Sequence, residues 1–179
     1  MLDQRCNELF KKFVDSVDFR SNAVITDGDF ALFHLHDMTQ QLAVKIGRAR
    51  LGITHCEEWG LSFSDLCEEV FLAALALWSS TESEKTLDAL LKEMLEVNLP
   101  EEGKGGDYNS GGIEFMHYWP AGPSDTWIMV HGKVLRLTSL LRSGREPNYE
   151  SISNNCLDLC AYVTWLLVVS TVWKETWLS

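Results

Sequence analysis

Apolar positions recur at helical spacing through most of this chain. Leu9, Phe10, Phe13 and Val17 share one side of a segment that predicts a helix over about residues 2–19. Asp27-Gly28-Asp29 reads as a turn and a helix start, and Phe30, Leu32, Phe33, Leu42, Val44 and Ile46 carry a second helix over about 29–48. After the connector LGITHCEEWGL, Ser64 is expected to N-cap the strong helix SDLCEEVFLAALALW, and the polar SSTESEK separates it from the shorter amphipathic TLDALLKEMLEV. Between 98 and 124 the periodicity breaks. The six glycines and three prolines of the stretch running on to Asp125 exclude a regular helix. They predict a long ordered loop or a short hairpin, partly ordered by Tyr108, Phe115, Tyr118 and Trp119. Asp125 is expected to cap a helix over 126–143 that ends at Ser143-Gly144, and Pro147-Asn148 to open a last helix over about 149–173. Everything long is helical, so the expected fold is a single all-α domain over 1–179, built as a helical bundle.

Composition narrows the function classes. The chain has 179 residues, long enough to bury a real core, and its 46% hydrophobic and 23% charged residues are those of an ordinary globular protein. A net charge of −11 argues against binding nucleic acid through a basic face, but leaves small phosphorylated ligands open. MLDQRCNELFKKF has no apolar signal core, and the charge-free run between Asp158 and Lys174 falls short of the roughly 20 residues of a spanning helix. Five cysteines without a CxxC spacing do not make a disulfide framework. A cytoplasmic location, host cytoplasm if the chain is phage-encoded, and no membrane partner are therefore expected.

The sharpest candidate site is the hairpin from Trp127 to Thr171. On a wheel of about 100° per residue, Met129, Val130, Val134, Leu137, Leu140 and Leu141 fall in one arc, with Lys133 inside it and Arg136 on its edge. A lysine there either snorkels to water or points into an interhelical cleft. On the last helix Glu150, Asn154 and Asp158 form a column, continued by apolar Ala161, Trp165 and Val168. Acids so spaced can share a Mg²⁺ ion. The rival reading is structural: Glu150 favours the helix dipole, and Asp158 pairs with Lys133 or Arg136.

These residues carry a resemblance. HGKVLRLTSLLRSGREPNYESISNNCLDLCAYVTWLL resembles the C-terminal hairpin of a phage and bacterial family, the nucleotide-modification-associated domain, which is similar to the all-α MazG-like nucleotide pyrophosphohydrolases. Lys133, Arg136, Gly144, Pro147, Glu150, Ser151, Ile152, Asp158, Leu159 and Tyr162 match its pattern, Asp107-Tyr108 upstream resembles its Asp-Tyr-Gly segment with Asn109 in place of the glycine, and the match spans about 107–171. The resemblance implies a Mg²⁺-dependent (Mn²⁺ also possible) nucleoside triphosphate pyrophosphohydrolase and a homodimer. It implies Glu150 and Asp158 as metal ligands, with acids from an earlier helix: Asp65, Glu68 and Glu69. Glu69 or Glu150 would act as proton acceptor, Lys133 and Arg136 would hold phosphates, and Asp107, Tyr108, Tyr118 and Trp119 would line the nucleotide site. The chain departs from the pattern at Asn154, where the family has an acid. That substitution weakens metal binding or ends turnover. The alternative is a protein that binds a nucleotide or a host protein without hydrolysis, or a helical accessory protein whose hairpin charges are salt bridges.

Other constellations carry less. GKGGDYNSGG lacks the order of a P-loop and reads as a lid from which Lys104 could reach a phosphate. His34 and His36 lie two apart, about 200° around a helix, so they cannot share a metal and read as surface histidines. His55, Cys56 and Cys67 lack a fourth zinc ligand, Cys156 and Cys160 read as small apolar groups, and neither His131 nor His117 has a partner pattern for nucleophilic chemistry.

Overall fold

The computed structural model describes residues 2–17, 28–50, 62–99, 115–144 and 147–177. Six α-helices account for most of them: α1 (Leu2–Ser16), α2 (Gly28–Arg50), α3 (Phe63–Thr81), α4 (Leu87–Asn98), α5 (Pro123–Ser143) and α6 (Ile152–Trp177), with a 3₁₀ turn at Phe115–Tyr118. Among the described residues there is no strand. The all-α bundle expected from the periodicity is the observed architecture. Four helices form a closed ring in which α2 packs on α3, α3 on α6, α6 on α5 and α5 back on α2. α1 lies against α6, and α4 against α3 and α6.

The helix ends show where sequence signals misled. α3 is capped by Ser62, not Ser64: the Ser62 hydroxyl accepts from the Asp65 N–H, and the Asp65 carboxylate accepts from the Ser62 N–H. This reciprocal box satisfies two of the donors a helix start leaves open, and hydrogen bonding from the Ser62 hydroxyl and the Ser62 N–H holds the Asp65 carboxyl below its ordinary range. α5 begins at Pro123 with Gly122 as N-cap. Asp125, expected to cap it, instead accepts from the Ala121 N–H at 2.6 Å. Gly122 has φ +63°, and a Cβ there would lie 2.6 Å from the indole of Trp173 on α6. Only glycine fits both the backbone and that approach. α6 starts at Ile152, three residues later than expected, which leaves Glu150 in the bend before it.

α6 is the core helix. Cys156, Leu159, Cys160, Val163, Leu166 and Val169 are fully buried, and Trp165 meets Phe10 of α1 at 4.4 Å between ring centres. Phe13 sets its edge on Phe71 of α3 at 5.5 Å. Thr164 and Ser170, buried polar residues, return their hydroxyls to carbonyls one turn back, so nothing polar in this stretch needs water. Its segment Ile152–Trp173 is long and apolar enough to cross a membrane by composition, but 72% of its apolar 18-residue window is buried within the fold, as in a core helix. Cys6, Cys67, Cys156 and Cys160 are buried thiols outside any disulfide. Burial pushes Cys156 up to about 12 and raises Cys67 and Cys160 as well, which suits packing groups and not nucleophiles.

The two histidines of α2 are half-buried links, not surface groups. His34 Nε2 lies 2.9 Å from Glu69 Oε2 on α3, and His36 Nε2 2.8 Å from Thr138 Oγ1 on α5. Desolvation, with the nearby Arg142 and His131 charges, lowers the His36 pKa below the ordinary 6.5. The folded chain therefore holds fewer protons there than the unfolded chain as pH falls below about 6.5, and stability drops. Thermal melts from pH 7 to 5 should show a fall in Tm that is shallower in His36→Gln. In a second test, Gly122→Ala should destabilise by about 1–3 kcal/mol in denaturant titration, whereas equal stability would show that Trp173 can move aside.

Candidate functional site

The α5–α6 hairpin turns opposite charges toward one gap. α5 buries Val130, Val134 and Leu137, so Lys133, between them on the helix, is carried inward to a side-chain exposure of 13%. Its Nζ donates to Asp158 Oδ2 at 2.7 Å, to Glu150 Oε2 at 3.0 Å and to Asn155 Oδ1 at 3.3 Å. An ammonium has three N–H groups, and three acceptors face it. Arg136 approaches the same Glu150 oxygen at 3.5 Å from a more exposed position. Lys133 does not snorkel. Of the two expected pairings of Asp158, the structure forms the one with Lys133.

The acidic column is not the one expected. Because α6 starts at Ile152, Glu150 reaches Lys133 from the preceding bend and not from a helical turn. Asn154 is exposed, and its backbone N–H is taken by the Ser151 hydroxyl at 3.0 Å. The amide that joins the cluster is Asn155, fully buried. Its Oδ1 accepts from Lys133, and its Nδ2 donates to the carbonyls of Ser151 at 2.8 Å and Glu150 at 3.4 Å. Asn155 thus fixes the bend that presents Glu150. Ser151 was the available signal: it is the serine whose hydroxyl and carbonyl receive the first N–H groups of α6, which places Asn155 and Asp158 one turn apart facing α5.

The remaining candidates are dispersed. Glu69 is engaged by His34. Glu68 sits beside it on α3, half-buried, and Asp65 is the exposed N3 residue of the α3 cap. Trp119 and Tyr118 lie before α5, whose axis runs about 15 Å from its first residue to Lys133. Asp107, Tyr108, Lys104, His55 and Cys56 lie outside the described residues. Among the described residues, no three of His, Cys, Asp and Glu gather closely enough to hold a metal ion. Glu150 and Asp158 do not fit Mg²⁺ as they stand. Both carboxylates converge on an ammonium that already supplies the positive charge, and Asn154 is not with them. The α6 start is tied down from a second side. The Trp78 indole N–H donates to the Ser153 hydroxyl at 3.0 Å, and the Ser153 hydroxyl, ahead of Lys85, holds the Glu82 carboxyl below its ordinary range.

Removing one member of a buried pair strands the other, at a cost of about 3–5 kcal/mol. Lys133→Met should therefore lower stability by that order in urea titration, and Asn155→Leu by about 1–3 kcal/mol. Asn154→Asp should leave both stability and Mg²⁺ affinity unchanged; tighter Mg²⁺ binding would place residue 154 in a coordination shell.

Comparison of the chain with protein-family models, with curated proteins and with solved structures returns no match in any of the three.

Proposed function

We propose that this protein is a helical accessory protein that acts by binding other proteins, and that its hairpin charges form a structural clamp and not a nucleotide-hydrolysing centre. The observation that carries the reading is the position of the Lys133 ammonium between Glu150 and Asp158. Lys133, Arg136, Glu150 and Asp158 sum to zero charge, so the cluster draws neither a divalent cation nor a triphosphate strongly. A metal would have to displace an ammonium that is 13% exposed, and a phosphate would have to displace two carboxylates. Glu69, the other candidate proton acceptor, is held by His34.

Binding to protein is supported by what the surface offers. Phe33 and Val44 on α2 are 72% and 51% exposed, and Tyr149 in the bend before α6 is 93% exposed. Phe33 and Val44 share one face of α2, about three turns apart, and an exposed apolar helix face is a surface that a partner helix or groove covers. The net charge of −11 selects against acidic partners.

Incubation with each dNTP and NTP in Mg²⁺ or Mn²⁺ should release no pyrophosphate, and calorimetry should detect no binding of metal or nucleotide. Nucleotide binding without release would favour a non-hydrolysing relative of the MazG-like enzymes. Pyrophosphate release that disappears in a folded Asp158→Asn variant would overturn the proposal and restore the enzymatic reading.

A further inference from the structure

The outward face of α5 has an internal symmetry that its own fold does not use. Thr126, Val130, Val134 and Leu137 are the buried side of this helix. On the opposite side lie Asp125, Ile128, Gly132, Leu135, Ser139 and Arg142, separated by steps of three and four residues. That alternation is the 3.5-residue repeat that keeps one stripe of a helix facing another helix. Ile128 and Leu135 are 59% and 49% exposed, and Gly132, Ser139 and Arg142 are exposed as well.

We propose that this stripe is a two-fold interface with a second copy of the chain, α5 packing antiparallel on α5. An antiparallel pairing centred between residues 133 and 134 sets Gly132 against Leu135 of the second copy, Ile128 against Ser139, and Asp125 against Arg142, each pair occurring twice. Large side chains therefore meet small ones, and each acid meets a base. Such self-complementarity is what an isologous contact requires.

Gly132 suits this pairing. A Cβ at that position would meet nothing within 4 Å, as is also true of Gly47 on α2, so no contact within the chain calls for glycine there. Mid-helix glycine otherwise weakens a helix. Opposite a leucine from another helix, its missing side chain becomes the hole that the leucine fills. The charge balance points the same way. Two copies of a chain at −11 repel each other over most faces. On this stripe Arg142 balances Asp125, and the Asp125–Arg142 pairs across the two copies are attractive. The exposed stripe on α2, Phe33, Asp37, Gln40, Val44 and Gly47 with Arg48 at its edge, is the rival surface, and Val44→Glu tells the two apart. The α5 proposal holds whether or not the chain hydrolyses nucleotides.

A single helix pair lies at the small end of specific interfaces, below about 1,200 Å², so the dimer should dissociate in the micromolar range. Sedimentation equilibrium of the full chain from about 1 to 200 µM tests this. A monomer–dimer equilibrium is expected. Ile128→Glu and Leu135→Glu should each weaken it by about tenfold or more. Both sites are exposed, so the melting curve of the dilute monomer should be retained. Gly132→Leu should also weaken the dimer by filling the hole, and Val44→Glu on α2 should leave it unchanged. A monomer at every concentration, a dimer indifferent to Leu135→Glu, or a dimer lost with Val44→Glu would overturn the proposal.

Discussion

An ammonium taken out of water must find acceptors, and the answer to that demand at Lys133 organises the hairpin. The strongest partner is Asp158, whose side chain is 14% exposed, at 2.7 Å. Glu150 is 43% exposed at 3.0 Å and keeps one side in water. Burial decides between them: charges screened by solvent contribute little, whereas a desolvated pair cannot lose a member cheaply. Asn155 completes the set from a fully buried position and, through its Nδ2, binds the backbone of the bend that carries Glu150. One cation thereby fixes the register of α5 on α6 and the conformation of the turn between them.

The clamp matters because α6 is apolar nearly all round. A helix of that kind has no face that prefers solvent, so its side chains alone give weak direction about which neighbour each should meet. Polar groups at its N-terminal end supply the direction. Lys133 holds it from α5, and Trp78, through Ser153, from α3. Further along, aromatic and thiol packing takes over, with Trp165 on Phe10 and the Cys160 thiol near the Phe71 carbonyl at 3.9 Å. The far end is set by Trp173 lying against the glycine that opens α5.

Much of this was legible in the sequence, for identifiable reasons. Helix class and order followed from the 3.6-residue periodicity of α1 to α5. The meeting of Lys133 with Asp158 followed from a lysine on an apolar stripe facing an acid on an apolar helix. Asn155 was not legible. A helix starting at residue 149 aligns Asn154 with Glu150 and Asp158, whereas the actual start at Ile152 leaves Glu150 outside the helix, and a helix buried on all sides has no apolar arc that marks Asn155. The Ser62 cap was in the sequence as Ser62-Phe63-Ser64-Asp65, a serine followed three residues later by an acid. The two histidines point to different helices, as their spacing of two predicts. Their partners, Glu69 and Thr138, lie 35 and 102 residues away in the chain, and no local pattern encodes such distances.

The central claim is that Lys133 and Asp158 are energetically coupled as a buried structural pair. A double-mutant cycle on stability, with Lys133→Met, Asp158→Leu and the combination, measures that coupling directly. The account predicts that the double variant recovers most of the loss seen in either single variant, leaving a coupling of about 2–4 kcal/mol. Strictly additive losses would contradict it, because they would mean that the two charges meet solvent and not each other.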